Sequence, residues 1–209
     1  MSKFNYILDA GHGGVINGEY VTAGKRSPIW EDGSQYFEGV GNRNICNLLA
    51  QKLRTANIDV VNLLHGINED ISLKERCDLT NRIYRENKNS VFISIHSNGF
   101  TSESANGFSI YTSKGETKSD QIASIFINNM ITNFPNHKSR LDFTDGDSDK
   151  EANFYVLKNT NCPAILIENF FMTNYKECKE LMNPLFVSKL VESHFSSIID
   201  MENSETLIF

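Results

Sequence analysis

Two rhythms of apolar and polar positions alternate along the chain. Phe4 to Asp9 is a short apolar run that predicts a strand, and it ends in the glycine-rich turn Ala10-Gly11-His12-Gly13-Gly14. Residues 15–37 show no period and read as a long loop carrying Tyr20, Trp30, Tyr36 and Phe37. From Glu38 to about Ala56, Ile45, Leu48, Leu49 and Leu53 recur at helical spacing, which predicts a helix burying that face. Ile58 to Leu64 reads as a second strand. Ser72-Leu73-Lys74-Glu75 is a capping box, in which hydroxyl and carboxylate bond the amides that a helix start leaves free, so a helix runs on to about Glu86. Val91 to His96 is apolar almost throughout, as expected of a strand covered on both faces. Gly107 to Thr112 predicts another strand, and residues 118–133 a helix on Ile122, Ile125, Phe126 and Met130. Ala164 to Glu168 repeats the apolar strand with a polar end. Asn183-Pro184 supplies an N-cap and a first-turn proline for a last amphipathic helix on Val187, Leu190, Val191, His194 and Ile198.

Strands alternating with helices predict an α/β fold, here a single domain over residues 1–200, with 201–209 a tail too short for a second one. A chain of 209 residues that is 40% hydrophobic suits that reading. The formal charge of -6, with no basic stripe, argues against nucleic acid as a partner. No apolar run approaches the roughly 20 residues that span a bilayer. The N-terminal segment is too short and polar for an export signal, so synthesis in the cytoplasm is expected. Cys46, Cys77, Cys162 and Cys178 lie far apart and form no thiolate metal motif, which makes them reduced packing residues.

Chemistry concentrates where strands end. His12, His96 and Glu168 each stand at or just past the carboxyl end of an apolar strand, the edge where open α/β sheets bind ligands. Glu38 opens a helix after a loop long enough to return it to that edge. Two imidazoles and a carboxylate are a common catalytic zinc set, and a second carboxylate nearby would serve as general base. Singly, each has a plainer reading, as a hydrogen-bonded strand-end histidine, a helix-start carboxylate or an exposed loop carboxylate. That reading is weakest for Glu168, which Ile165-Leu166-Ile167 carries into poorly hydrated surroundings where an unpartnered charge is costly. Of the other histidines, His194 reads as core, and His65 and His137 as solvated. Asp145-x-Asp147-x-Asp149 has the opening rhythm of a calcium loop, but Lys150 holds the glycine position and Val156 the final glutamate position. It reads as a solvated acidic loop, with contacts to a substrate stem as the functional alternative. The aromatic 15–37 loop is either a groove wall that stacks on sugars or a packed surface loop.

These residues resemble the zinc N-acetylmuramoyl-L-alanine amidases of the amidase-3 type. The matching segments are Ile7 to Gly14, Glu38 with Asn42 and the helix through Leu53, Ser94-Ile95-His96-Ser97-Asn98, and Pro163 to Glu168 with Asn174 downstream. Leu73, Arg76 and Asn81 match a helix between the second and third segments, so the likeness runs from about residue 5 to 198. The resemblance implies a twisted, mostly parallel sheet flanked by helices on both faces. It also implies Zn2+ held by His12, Glu38 and His96, Glu168 as the catalytic carboxylate, and hydrolysis of the bond between N-acetylmuramic acid and L-alanine in peptidoglycan. A monomer acting on the cell wall is expected, as a phage endolysin or a bacterial enzyme exported by another route. The alternatives are a related zinc amidase on a different acyl-amino bond and a peptidoglycan-binding module without turnover. Departures from the family pattern are the long loop before Glu38, Ser97 and Gly99 beside the third segment, and the acidic stretch 134–153.

Overall fold

The continuous apolar runs take the centre of a six-stranded sheet. The structure is a computed structural model and describes residues 2–207. In chain order, β1 (Asn5–Ala10) leads to a small hairpin of β2 (Val15–Ile16) and β3 (Glu19–Tyr20), then α1 (Glu38–Thr55) and β4 (Val60–Asn62). Next come α2 (Leu73–Glu86), β5 (Ser90–Asn98), β6 (Ser109–Thr112) and α3 (Lys118–Asn133). The last part holds β7 (Lys150–Glu151), α4 (Tyr155–Lys158), β8 (Ala164–Phe171), α5 (Tyr175–Leu181) and α6 (Pro184–Asn203). The sheet order is β4-β1-β5-β8-β6-β7. β4, β1, β5 and β8 run parallel, and β6 returns antiparallel to β8 and pairs parallel with β7.

Alternation along the central strands explains why both faces are covered. Ile93, Ile95, Ile165 and Ile167 face a core that includes Leu49, Phe126 and Leu190 from α1, α3 and α6. Phe92, Ala164 and Leu166 face the other way, onto Cys77 of α2 and Val156 and Leu157 of α4. The fold is thus the α/β arrangement read from the sequence, with helices on both faces. The capping box of Ser72 and Glu75 and the N-cap of Asn183 form as read. All four cysteines are free and buried.

Several elements differ from the sequence reading. The 15–37 segment contains the β2–β3 hairpin, and β7, α4 and α5 add short elements too small for a periodic signal. Leu48 is 38% exposed, because it lines a surface groove between α1 and α6 instead of the sheet-facing stripe. The last helix passes residue 200 to Asn203, and Met201 and Leu207 belong to the core. Glu202 ties this end down, accepting from the backbone amides of Lys3 at 2.7 Å and Phe4 at 3.1 Å and from the Tyr6 hydroxyl at 2.9 Å. Residues 201–207 are therefore part of the domain, and residues 208–209 of the expected tail lie outside the described residues.

Candidate metal centre and catalytic cleft

The site begins with the turn after β1. His12 adopts a left-handed backbone conformation, φ 68°, which a non-glycine residue holds only when its surroundings impose it. Two arginines impose it here: the His12 carbonyl accepts from Arg43 Nη1 at 2.9 Å and from Arg76 Nη2 at 3.1 Å. Arg76 is buried and paired with Asp9 at 2.5 Å, and Asp9 in turn accepts from Ser94 Oγ at 2.7 Å. Gly11 must lack a side chain, because a Cβ there would run into the His96 imidazole.

Glu38 reaches the same place from the first turn of α1. Its Oε1 lies 3.2 Å from His12 Nε2 and 3.1 Å from His96 Nδ1. The three donor atoms all fall within 4.8 Å of one another, close enough to share one metal ion. Burial alone would push the Glu38 carboxyl up, but the two imidazoles outweigh it and hold the group down at about 2. Burial lowers His12, while His96 is raised because its bond to Glu38 and the neighbouring carboxylates outweigh burial. Opposite charges and donors thus favour an ionised carboxylate between two nitrogen donors.

Glu168 is the β-ladder neighbour of His96. Neither residue lies past its strand: β5 continues to Asn98 and β8 to Phe171, with a register shift between His96 and Asn98. Beyond the shift Asn98 pairs with Phe171, and on the other side of β8 the antiparallel β6 pairs Ser109 with Glu168. Glu168 Oε2 is buried without a hydrogen-bond partner. Burial pushes this carboxyl up to about 7, with His96 pulling it down and Glu38 adding to the rise. All four residues singled out in the sequence are therefore brought together. His12, His96 and Glu168 border a cleft of about 400 Å³ whose walls include Thr22, Lys25, Asp70, Phe154 and Tyr155, and Glu38 is buried against the two histidines.

The sequence profile of the N-acetylmuramoyl-L-alanine amidases matches residues 7–200. The chain belongs to that family. It is 27% identical over 199 residues to an uncharacterized cell wall amidase of Bacillus anthracis, covering 93% of this chain and 34% of that protein. It is 26% identical over 208 residues to the endolysin of Bacillus phage SPP1, covering 97% of this chain and 67% of that protein. The chain thus spans about a third and two thirds of the curated relatives it matches. Among solved structures, an N-acetylmuramoyl-L-alanine amidase from Clostridium difficile 630 superposes with a TM-score of 0.81 at 26% identity, over 98% of this chain and 100% of that one. AmiC2 of Nostoc punctiforme, at 22% identity, shares the fold with a TM-score of 0.77 over 97% of this chain and 98% of that one.

Within this amidase fold, the sequence reading gave no role to the supports behind the His12–Glu38–His96 group. Asn42 donates to the Gly11 carbonyl at 3.2 Å and accepts from Ser97 Oγ at 3.4 Å. Asp9, Arg43 and Arg76 hold the histidine turn as described. A signal was present in charged residues inside otherwise apolar or helical stripes, where burial demands partners. The 15–37 aromatics do not line the cleft: Trp30 and Tyr36 are buried, with Trp30 Nε1 donating to Cys178 Sγ at 3.2 Å. From that loop Thr22 and Lys25 reach the cleft. His194 is core and His65 exposed, as read. His137 is not solvated: it bonds Glu180 at 2.9 Å and packs against Phe134, Phe170 and Phe186. That cluster draws on distant segments, which spacing along the chain does not reveal.

Proposed function

We propose that the chain is a zinc-dependent hydrolase cleaving the amide between N-acetylmuramic acid and L-alanine in peptidoglycan, with His12, Glu38 and His96 as ligands and Glu168 as general base. The observation that carries this reading is the convergence of His12, Glu38 and His96 beside Glu168, whose buried oxygen has no protein partner. Two imidazole nitrogens and one carboxylate oxygen fit a zinc ion that keeps a fourth position for water. When bound there, zinc would polarise the scissile carbonyl and lower the pKa of water towards ~7.

The protein's own groups do the rest. Glu168 Oε2 takes the proton of the attacking water, and its raised affinity for protons suits a base that must also give the proton back. The same oxygen then delivers it to the L-alanine nitrogen, which leaves poorly as an anion. Arg43 and Arg76 keep the His12 main chain in place, so the donor set is formed before substrate arrives. The cleft beside the proposed metal group, of about 400 Å³, has Lys25 and Asp70 as polar walls. Among the described residues no helix is long and apolar enough to cross a membrane, and cell wall is the proposed place of action.

The test is digestion of purified peptidoglycan by the zinc-loaded protein with and without chelator, with products read by mass spectrometry. Chelator-sensitive release of stem peptides beginning in L-alanine is expected. Zinc bound but no such release would move the assignment to another acyl-amino bond.

A further inference from the structure

A second group of carboxylates lies away from the cleft, at the β7 edge of the sheet. Asp120 comes from the first turn of α3, and Asp147 and Asp149 from the loop before β7. Their oxygens all fall within 4.8 Å of one another. Contrary to the reading of a solvated acidic loop, Asp149 is 2% exposed. Its Oδ2 accepts from Thr112 Oγ1 at 2.7 Å, but its buried Oδ1 has no hydrogen-bond partner. Asp147 Oδ1 accepts from the Asp149 amide at 3.3 Å, and Asp120 accepts from the Thr117 amide at 2.5 Å and the Thr117 hydroxyl at 3.1 Å.

Three converging acids with an orphaned, buried oxygen need a positive counterpart. Burial, Asp147 and Asp120 together raise the Asp149 carboxyl to about 7, against the pull of Thr112. A proton would settle one oxygen, and it leaves the group still anionic above neutral pH. We propose that Asp120, Asp147 and Asp149 form a second metal site, distinct from the His12–Glu38–His96 group, for a hard divalent cation of the Ca2+ class. All of the donors are oxygens, which hard cations prefer over the softer, nitrogen-seeking metals. Ca2+ accepts an irregular set supplied by two separate segments, whereas Mg2+ demands near-octahedral geometry. The site is not an EF-hand. Asp145 is exposed and takes no part, and its place is filled by Asp120 from α3.

A cation there would pin the acidic loop to α3 and, through Thr112, to the end of β6. The segment that follows carries Phe154 and Tyr155 into the wall of the cleft. The site is therefore a structural brace for one side of that wall.

The full chain, with zinc loaded first, is titrated with CaCl2, MgCl2 and MnCl2 by calorimetry, and its melting is followed in parallel. Ca2+ is expected to bind one-to-one and to raise Tm by about 5–10 °C at saturation. Asp147→Asn, at a half-buried position that tolerates the change, should weaken Ca2+ binding at least tenfold with zinc content unaltered, and Asp149→Asn should do the same. Absence of heat and of a Tm shift with all three cations up to roughly 10 mM overturns the proposal. So does an equal response in wild type and both variants. An Asp149→Asn protein more stable than a wild type that binds none of the cations would assign the cluster to a shared proton instead.

Discussion

Glu168 is held in a state that free glutamate does not occupy at neutral pH. Its carboxyl is pushed up to about 7 by burial in the sheet, and the group sits one rung across from His96. As the proposed base it gains its charge as the pH rises, so the kcat/KM of the zinc-loaded protein should climb on an acid limb. The midpoint should lie at or below about 7, because a nearby bound cation favours the carboxylate. Glu168→Gln should remove the limb and lower kcat by about 10²–10⁴-fold while zinc content by metal analysis stays at the wild-type level. A variant that retained turnover would sink the assignment of the base. Gly11 carries a second expectation of the same scale. Gly11→Ala places a methyl group against the His96 ring, so zinc affinity should fall about 10–100-fold, as when a ligand's support is disturbed. Competition with a chromophoric chelator reads this directly.

Helix α6 shows how an element holds the site from behind. His194 is fully buried, and its Nε2 meets Asn169 Oδ1 at 2.9 Å, while Asn169 Nδ2 donates to the His96 carbonyl at 3.1 Å. Burial lowers His194 from 6.5 to about 3. The folded chain therefore refuses a proton that the unfolded chain takes up below about 6.5. This contribution to stability is complete above that pH and is lost as the pH falls towards 3. Equilibrium unfolding of wild type should weaken steadily below about 6.5, and His194→Gln should flatten that part of the profile. An unchanged slope in the variant would place the acid sensitivity elsewhere. The helices themselves were readable because their apolar stripes are long and their caps explicit, as at Ser72 and Asn183. α4 and α5, of four and seven residues, carry too few positions for a period to show.

At the scale of the molecule, the proposed metal group joins three otherwise separate parts: the turn after β1, the start of α1 and the carboxyl end of β5. A ligand that binds only this assembled arrangement stabilises the whole fold by mass action. Stripping zinc with chelator should lower Tm by about 5–10 °C, and readdition of zinc should restore it in a calorimetric scan. Insensitivity to chelator, in protein shown to be metal-free, would mean that the donors are organised by Arg43, Arg76 and the Glu38 bonds alone. The two proposed sites also respond separately, since Asp147→Asn leaves the imidazole donors untouched.

What the linear chain determined follows from local physics. Apolar runs at Val91 to Ile95 and Ala164 to Ile167 read as strands covered on both faces, and the polar residues at their ends, His96 and Glu168, were marked by that context. His12 and Glu38 were marked in the same way, by a glycine-rich turn and a helix start. What tertiary structure decided is everything that depends on residues far apart in sequence. It set the meeting of the His12, Glu38 and His96 donor atoms within 4.8 Å of one another, the orphaned oxygen of Glu168, and the two-arginine clamp on the His12 carbonyl. It also turned Asp147 and Asp149 from a solvated pattern into a partly buried cluster with Asp149 at its inner end, by bringing Asp120 and Thr112 against them. Periodicity reports which face of an element is buried. It carries no information on which buried faces meet, and the energy of a charge depends on that meeting.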